Sequence, residues 1–119
     1  MTQPGFAHPI SFPDGRALLI RFPTFTPRIT FHADDRLTVE IVDGENAGFR
    51  DTVTYQAALL RANLLMLSWQ ERQGSIVVHA LDLDVGRAYT VVSRARGDVL
   101  RMVGSIERAD PAPAFADAE

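Results

Sequence analysis

The chain has 119 residues, no cysteine and a net charge of −3 from 12 basic and 15 acidic residues. That length suits a single domain able to bury its own core, and the lack of thiols excludes disulfides, thiolate metal sites and cysteine nucleophiles. The charges are dispersed, so no nucleic-acid face is expected; no apolar run approaches the roughly 20 residues that span a bilayer, and no charged-then-apolar leader opens the chain, so a soluble, cytoplasmic protein without membrane contact is the expectation.

Every basic residue is arginine, a composition expected of a GC-rich bacterial genome. Residues 1–15, "MTQPGFAHPISFPDG", hold three prolines and two glycines without periodicity and are read as an N-terminal arm. Short β-rich runs follow at 16–22, 27–33, 36–42, 52–60, 63–70, 75–83, 87–94 and 98–107. Between them stand "DGR", "ADDR", "DGENAG", "RQG", "DVG" and "RGD", turn sequences at the spacing of an all-β sandwich or barrel. "TYQAALLRANLLMLSW" has the Ala and Leu content of a helix. As a helix it would be apolar on nearly all sides, so strands are expected there. Residues 16–108 are thus read as the barrel domain, and 109–119, "ADPAPAFADAE" from Ala109 on, as a flexible tail.

Eight antiparallel strands joined by short turns can close on themselves and remove their exposed edges. The interior of such a barrel is either filled by side chains or holds one small ligand. Taking Arg72-Gln73 as a turn centre pairs Trp69 with Ile76, Leu67 with Val78, Leu65 with Ala80 and Asn63 with Asp82, all on one face. Turns at Val85-Gly86 and Arg96-Gly97 then set Asp82 opposite Tyr89, Ala80 opposite Val91, Tyr89 opposite Gly104 and Val91 opposite Met102. A one-residue bulge in any of these turns would reverse the face beyond it.

The resulting lumen would have Trp69 at one end and Asn63, Asp82 and Tyr89 at the other. Trp69 is a core plug or a ligand platform, its indole N–H needing an acceptor that Thr54 or Gln56 could supply. Asp82 either starts the "DLDVG" turn, solvated at the rim, or works with Tyr89 as a base or an acceptor for a ligand hydroxyl. Tyr55 joins the lumen if the turn at 61–63 has three residues; with two, Gln56 and Thr54 point inward instead. His79 is expected on the outside with Val77, Leu81, Met66, Leu64 and Val92, an apolar exterior suited to a homodimer. Glu71 and Arg72 read as a surface ion pair. No phosphate loop, no Ser-His-Asp spacing, no paired carboxylates and no metal motif are present, so no cofactor and no metal are expected.

The stretch from Tyr55 to Thr90, "Y…LLMLSWQERQGSIVVHALDLDVGRAYT", is similar to the small calycin (lipocalin-like) barrels of the MoaF-like family, named for a molybdenum-cofactor-biosynthesis accessory protein. Those chains share a Trp-x-Glu turn leading into "vvh…D-x-D/E-x-G". The resemblance covers the central third of the chain strongly and implies a lumen that binds a small molecule. The "W-x-E-x-x-G" turn also resembles phenolic acid decarboxylase. That enzyme's two lumen tyrosines fall on Ile20 and Phe22 here, its arginine near Glu40 and its glutamate near Thr54. None of the four matches, which argues against decarboxylation by that route.

The expectation is therefore an all-β, eight-stranded, antiparallel up-and-down calycin barrel. Trp69 and Tyr89 would offer ring faces, Leu65, Leu67, Val78, Val91 and Met102 the wall, and Asp82 with Asn63 the polar contacts to a small apolar or aromatic ligand. The alternatives are a cofactor-independent isomerase, cyclase or lyase of secondary metabolism using Asp82 and Tyr89, and a filled barrel acting through a protein interface.

Overall fold

The computed structural model describes residues 5, 6 and 8–109; the expected tail lies outside the described residues but for Ala109. Nine strands appear among the described residues: β1 (Pro9–Ile10), β2 (Ala17–Arg21), β3 (Phe25–His32), β4 (Arg36–Gly44), β5 (Arg50–Arg61), β6 (Leu64–Gln70), β7 (Ile76–Asp82), β8 (Arg87–Ser93) and β9 (Val99–Arg108). No helix occurs among the described residues, so none is long and apolar enough to cross a membrane. The Ala- and Leu-rich stretch forms β5 and β6, because strands there complete the sheet on both sides.

β2 to β9 pair antiparallel with their sequence neighbours, and β2 also pairs with β9, so the sheet closes as an eight-stranded up-and-down barrel. β1 adds two residues to β5 at Ala57 and Ala58, beyond the stretch of β5 that pairs with β4. Alternation turns Ile20, Ile29, Phe31, Leu37, Leu67 and Leu81 inward, where all are fully buried.

The turns decide which face each strand shows the lumen, and two of them depart by one residue from the expected register. Glu71 N donates to Ser75 O at 2.8 Å and Gly74 N to Glu71 O at 2.9 Å. Gly74, at a φ of 107°, takes a backbone position that side chains disfavour and gives the loop its extra residue. Trp69 therefore pairs with Val77 and Leu67 with His79. β7 is reversed: Val77, His79 and Leu81 face in, while Ile76, Val78, Ala80 and Asp82 face out.

At the next turn Asp82 Oδ1 accepts from the backbone N–H of Asp84 at 3.1 Å and of Val85 at 3.4 Å. This side-chain cap spans a four-residue connection that sets Asp82 opposite Arg87 and Ala80 opposite Tyr89. The two-residue shift preserves the relation between the strands, so Tyr89 and Val91 are also outside, 48% and 42% exposed. The third turn repeats the first, with Arg94 N donating to Asp98 O at 2.8 Å and Gly97 N to Arg94 O at 2.9 Å. Tyr89 then pairs with Val103 and Thr90 with Met102, which brings Leu100, Met102 and Gly104 to the inner side. The turn between β5 and β6 has two residues, Ala62 and Asn63, but the ladder shifts register between Leu59 and Arg61. That bulge supplies the third residue, and Tyr55 points inward opposite Trp69.

Candidate functional site

Inward side chains of β6 to β9 lie in rows along the barrel. Glu71, Ser75 and Arg94 form the outermost row, followed by Trp69, Val77, Val92 and Leu100, then by Leu67, His79, Thr90 and Met102. A cavity of about 480 Å³ opens at this end and is lined from the other strands chiefly by Phe22, Phe25, Val39, Ile41 and Phe49. The end carrying the turn at 33–35 is filled. There Phe12 stacks on Phe31 with ring centres 3.9 Å apart, and Tyr55 packs edge-on against Phe31 at 5.3 Å. The Tyr55 hydroxyl accepts from the Phe12 backbone N–H at 2.9 Å, which satisfies a buried tyrosine and ties the arm to the barrel.

The most deeply buried titratable group lining the cavity is His79, only 2% exposed. Its ring lies nearly parallel to Phe22, 6.1 Å between centres at 9°, and 5.2 Å from the Trp69 ring at 54°. Nδ1 shares a hydrogen bond with the Thr90 hydroxyl, the one side-chain hydrogen bond of His79 among the described residues, and the residue lines the cavity. Burial holds the pKa of His79 down to about 3, because a charged imidazole there would lose its hydration without gaining a carboxylate. The ring is therefore neutral at physiological pH, and Nε2 can donate or accept one hydrogen bond, depending on the tautomer that Thr90 favours.

Trp69 takes the place expected of it, but its indole N–H donates to Glu71 Oε2 at 3.1 Å, not to Thr54 or Gln56, which face outward. Glu71 also accepts from Gln73 Nε2 at 3.1 Å, and Arg72 turns away to Asp51, so the expected ion pair between Glu71 and Arg72 does not form. Leu65, Leu67 and Met102 face inward as expected. Tyr55 is inside but belongs to the filled end.

Asn63 sits in the turn after β5 at a φ of 59°, with its side chain on Asp84 at 2.8 Å, and is no part of the lumen. Asp82, Tyr89, Val78 and Val91 lie on the outer surface because of the register reversal at Gly74. Asp82 and Tyr89 therefore make no acid–base pair inside the barrel. Conversely His79, Val77, Leu81 and Val92, expected outside, are inside, and His79 and Thr90 are the site residues that alternation alone missed. Glycine two residues before the second strand in "RQGS" and "RGDV" was the available signal, because it marks a longer turn with a bulge.

A family profile described as MoaF-like matches residues 14–107. Seven chains of solved structures resemble this one, among them the crystal structure of a "putative beta-lactamase" from Burkholderia vietnamiensis. It is 26% identical, with a TM-score of 0.79 over 84% of this chain and 99% of that chain. No curated protein matches. A profile match across nearly the whole closed barrel, from the end of the arm to the last strand, places the chain in a family: it belongs to the MoaF-like family.

Proposed function

We propose that the barrel binds a small, largely apolar or aromatic organic molecule in its lumen, with His79 as the polar contact. The observation that carries this reading is a buried imidazole, set between the rings of Phe22 and Trp69, that lines a largely apolar cavity. A ligand group that meets Nε2 gains a hydrogen bond in a site largely shielded from bulk water. A volume of about 480 Å³ falls in the range of pockets that enclose small organic ligands. Trp69 emission titrated with aromatic acids, polyenes and pterin-like heterocycles tests this. Saturable quenching that disappears in Trp69→Phe is expected, and no response from any compound with a folded protein refutes it.

A cofactor-independent enzyme in the same lumen would have to move protons through His79, since Asp82 and Tyr89 face away. A base is most effective when its pKa lies near the working pH. A pKa of about 3 leaves His79 far weaker than that, which favours binding over turnover. The lactamase description belongs to the Burkholderia protein; this chain has no lysine and so no Ser-x-x-Lys nucleophile motif.

We also infer that the outer face of β7 to β9 packs against a second copy of the chain. Ile76, Tyr89, Val91, Val99 and Val103 are each exposed by more than two-fifths on one continuous surface. Sedimentation equilibrium is expected to give a dimer that Val91→Arg converts to monomer; a monomeric wild type overturns the inference.

A further inference from the structure

We infer that the lumen's ligand is an amphipathic acid, its anionic head seated at the mouth on Arg94 and Ser75 and its apolar body reaching past Trp69 towards His79. The inference rests on the lumen-binding reading and adds the chemical class. Arg94 and Ser75 stand side by side, one row outside Val77 and Val92, and both line the cavity. Arg94 is an unusual residue for that place. Its side chain is only 29% exposed, and one guanidinium nitrogen reaches Asp98 at 2.8 Å. Its Nε is shut off from water and has no acceptor. A guanidinium nitrogen so placed loses hydration without compensation, and a carboxylate that reaches Arg94 from the cavity, with a small turn of the side chain to present Nε, restores it by a charge-assisted hydrogen bond.

Ser75 completes the seat. Its hydroxyl oxygen receives a long hydrogen bond from Ala95 N at 3.4 Å, and its own proton is free to point at a second carboxylate oxygen. Charge at the mouth is mixed, because Glu45 and Glu71 line the same cavity as Arg94. Asp98 is shared between Arg94 and Arg96, which meets it at 3.0 and 3.2 Å, so the three together carry one net positive charge. The nearest acid in the row, Glu71, is held by N–H donors of Trp69 and Gln73 at 3.1 Å each. Behind the seat the wall is Phe22, Phe25, Trp69, Val77 and Val92, which has nothing to offer a second charge. The arrangement has the polarity of an acid with one charged end, and a neutral head group would meet Arg94 Nε without the gain of a charge-assisted bond.

Calorimetric titration of the whole chain with matched acid–alcohol pairs tests this, using 4-phenylbutanoate against 4-phenylbutan-1-ol and decanoate against 1-decanol. The acids are expected to bind roughly 10- to 100-fold tighter than the alcohols, the range of a hydrogen bond to a charged group. Arg94→Gln is expected to abolish the preference by bringing the acids down to the alcohols' affinity, and Ser75→Ala to reduce it. Equal binding of acid and alcohol by the wild type, or a preference that survives Arg94→Gln, overturns the inference while leaving the lumen reading standing. Binding of neither member of either pair overturns both.

Discussion

His79 and Trp69 meet inside the barrel with ring centres 5.2 Å apart and planes inclined at 54°, although the shortest turn through Arg72-Gln73 would have put them on opposite faces of the sheet. The contact exists because the turn runs from Glu71 to Ser75 with Gly74 in a left-handed conformation.

Gly74→Val tests that dependence. With φ at 107°, a β-branched side chain is strained whatever space surrounds it. The substitution is expected to destabilise the fold by about 1–3 kcal/mol in chemical denaturation, and Gly97→Val, at a φ of 106°, by a similar amount. A loss below a few tenths of a kcal/mol at both positions would show that the turns do not depend on glycine.

Gly104 faces inward where β9 crosses β2. A Cβ there would lie 2.7 Å from the Arg21 carbonyl oxygen and 2.8 Å from the Phe22 ring. The first of these is backbone and cannot rotate away, so Gly104→Ala is expected to cost about 1–3 kcal/mol. A melting temperature equal to the wild type's would contradict it.

Acid should weaken the protein before its carboxylates titrate. His79 has a folded pKa of about 3 against an ordinary value of 6.5, so the unfolded chain binds the extra proton between those limits. Stability is then complete above pH 6.5 and declines as pH falls towards 3, by at most about 1.4 kcal/mol per pH unit. His79→Leu is expected to flatten the slope between pH 6.5 and 4.5. An unchanged slope in that variant assigns the acid sensitivity elsewhere.

Tyr55→Phe removes the acceptor of the Phe12 backbone N–H and leaves that group unpaired. A loss of about 1–3 kcal/mol is expected, together with faster hydrogen exchange at the Phe12 amide. Exchange at the wild-type rate would mean that the Tyr55 hydroxyl does not hold the arm, leaving the β1–β5 pairing and the Phe12–Phe31 stack to do so.

The strands were legible because apolar runs and turn residues alternate at regular intervals, and the inward face of β6 was legible from Leu65, Leu67 and Trp69. The face of β7 was not. "IVVHALD" is apolar on both sides, with Ile76, Val78 and Ala80 on one and Val77 and Leu81 on the other, so hydrophobicity did not choose between them. Only turn length could, and each five-residue turn carries its information in a single glycine. The polar centre of the site therefore moved from Asp82 and Tyr89 to His79 and Thr90 through one residue of register.

Four valines make the most direct test of the lumen. Val77 and Val92 face the cavity, while their neighbours Val78 and Val91 face out. Methyl chemical shifts of all four, followed by NMR as a ligand found by Trp69 quenching is added, are expected to move at Val77 and Val92 and to stay in place at Val78 and Val91. Shifts at Val78 and Val91 with Val77 and Val92 unmoved would place binding on the outer surface and contradict the account.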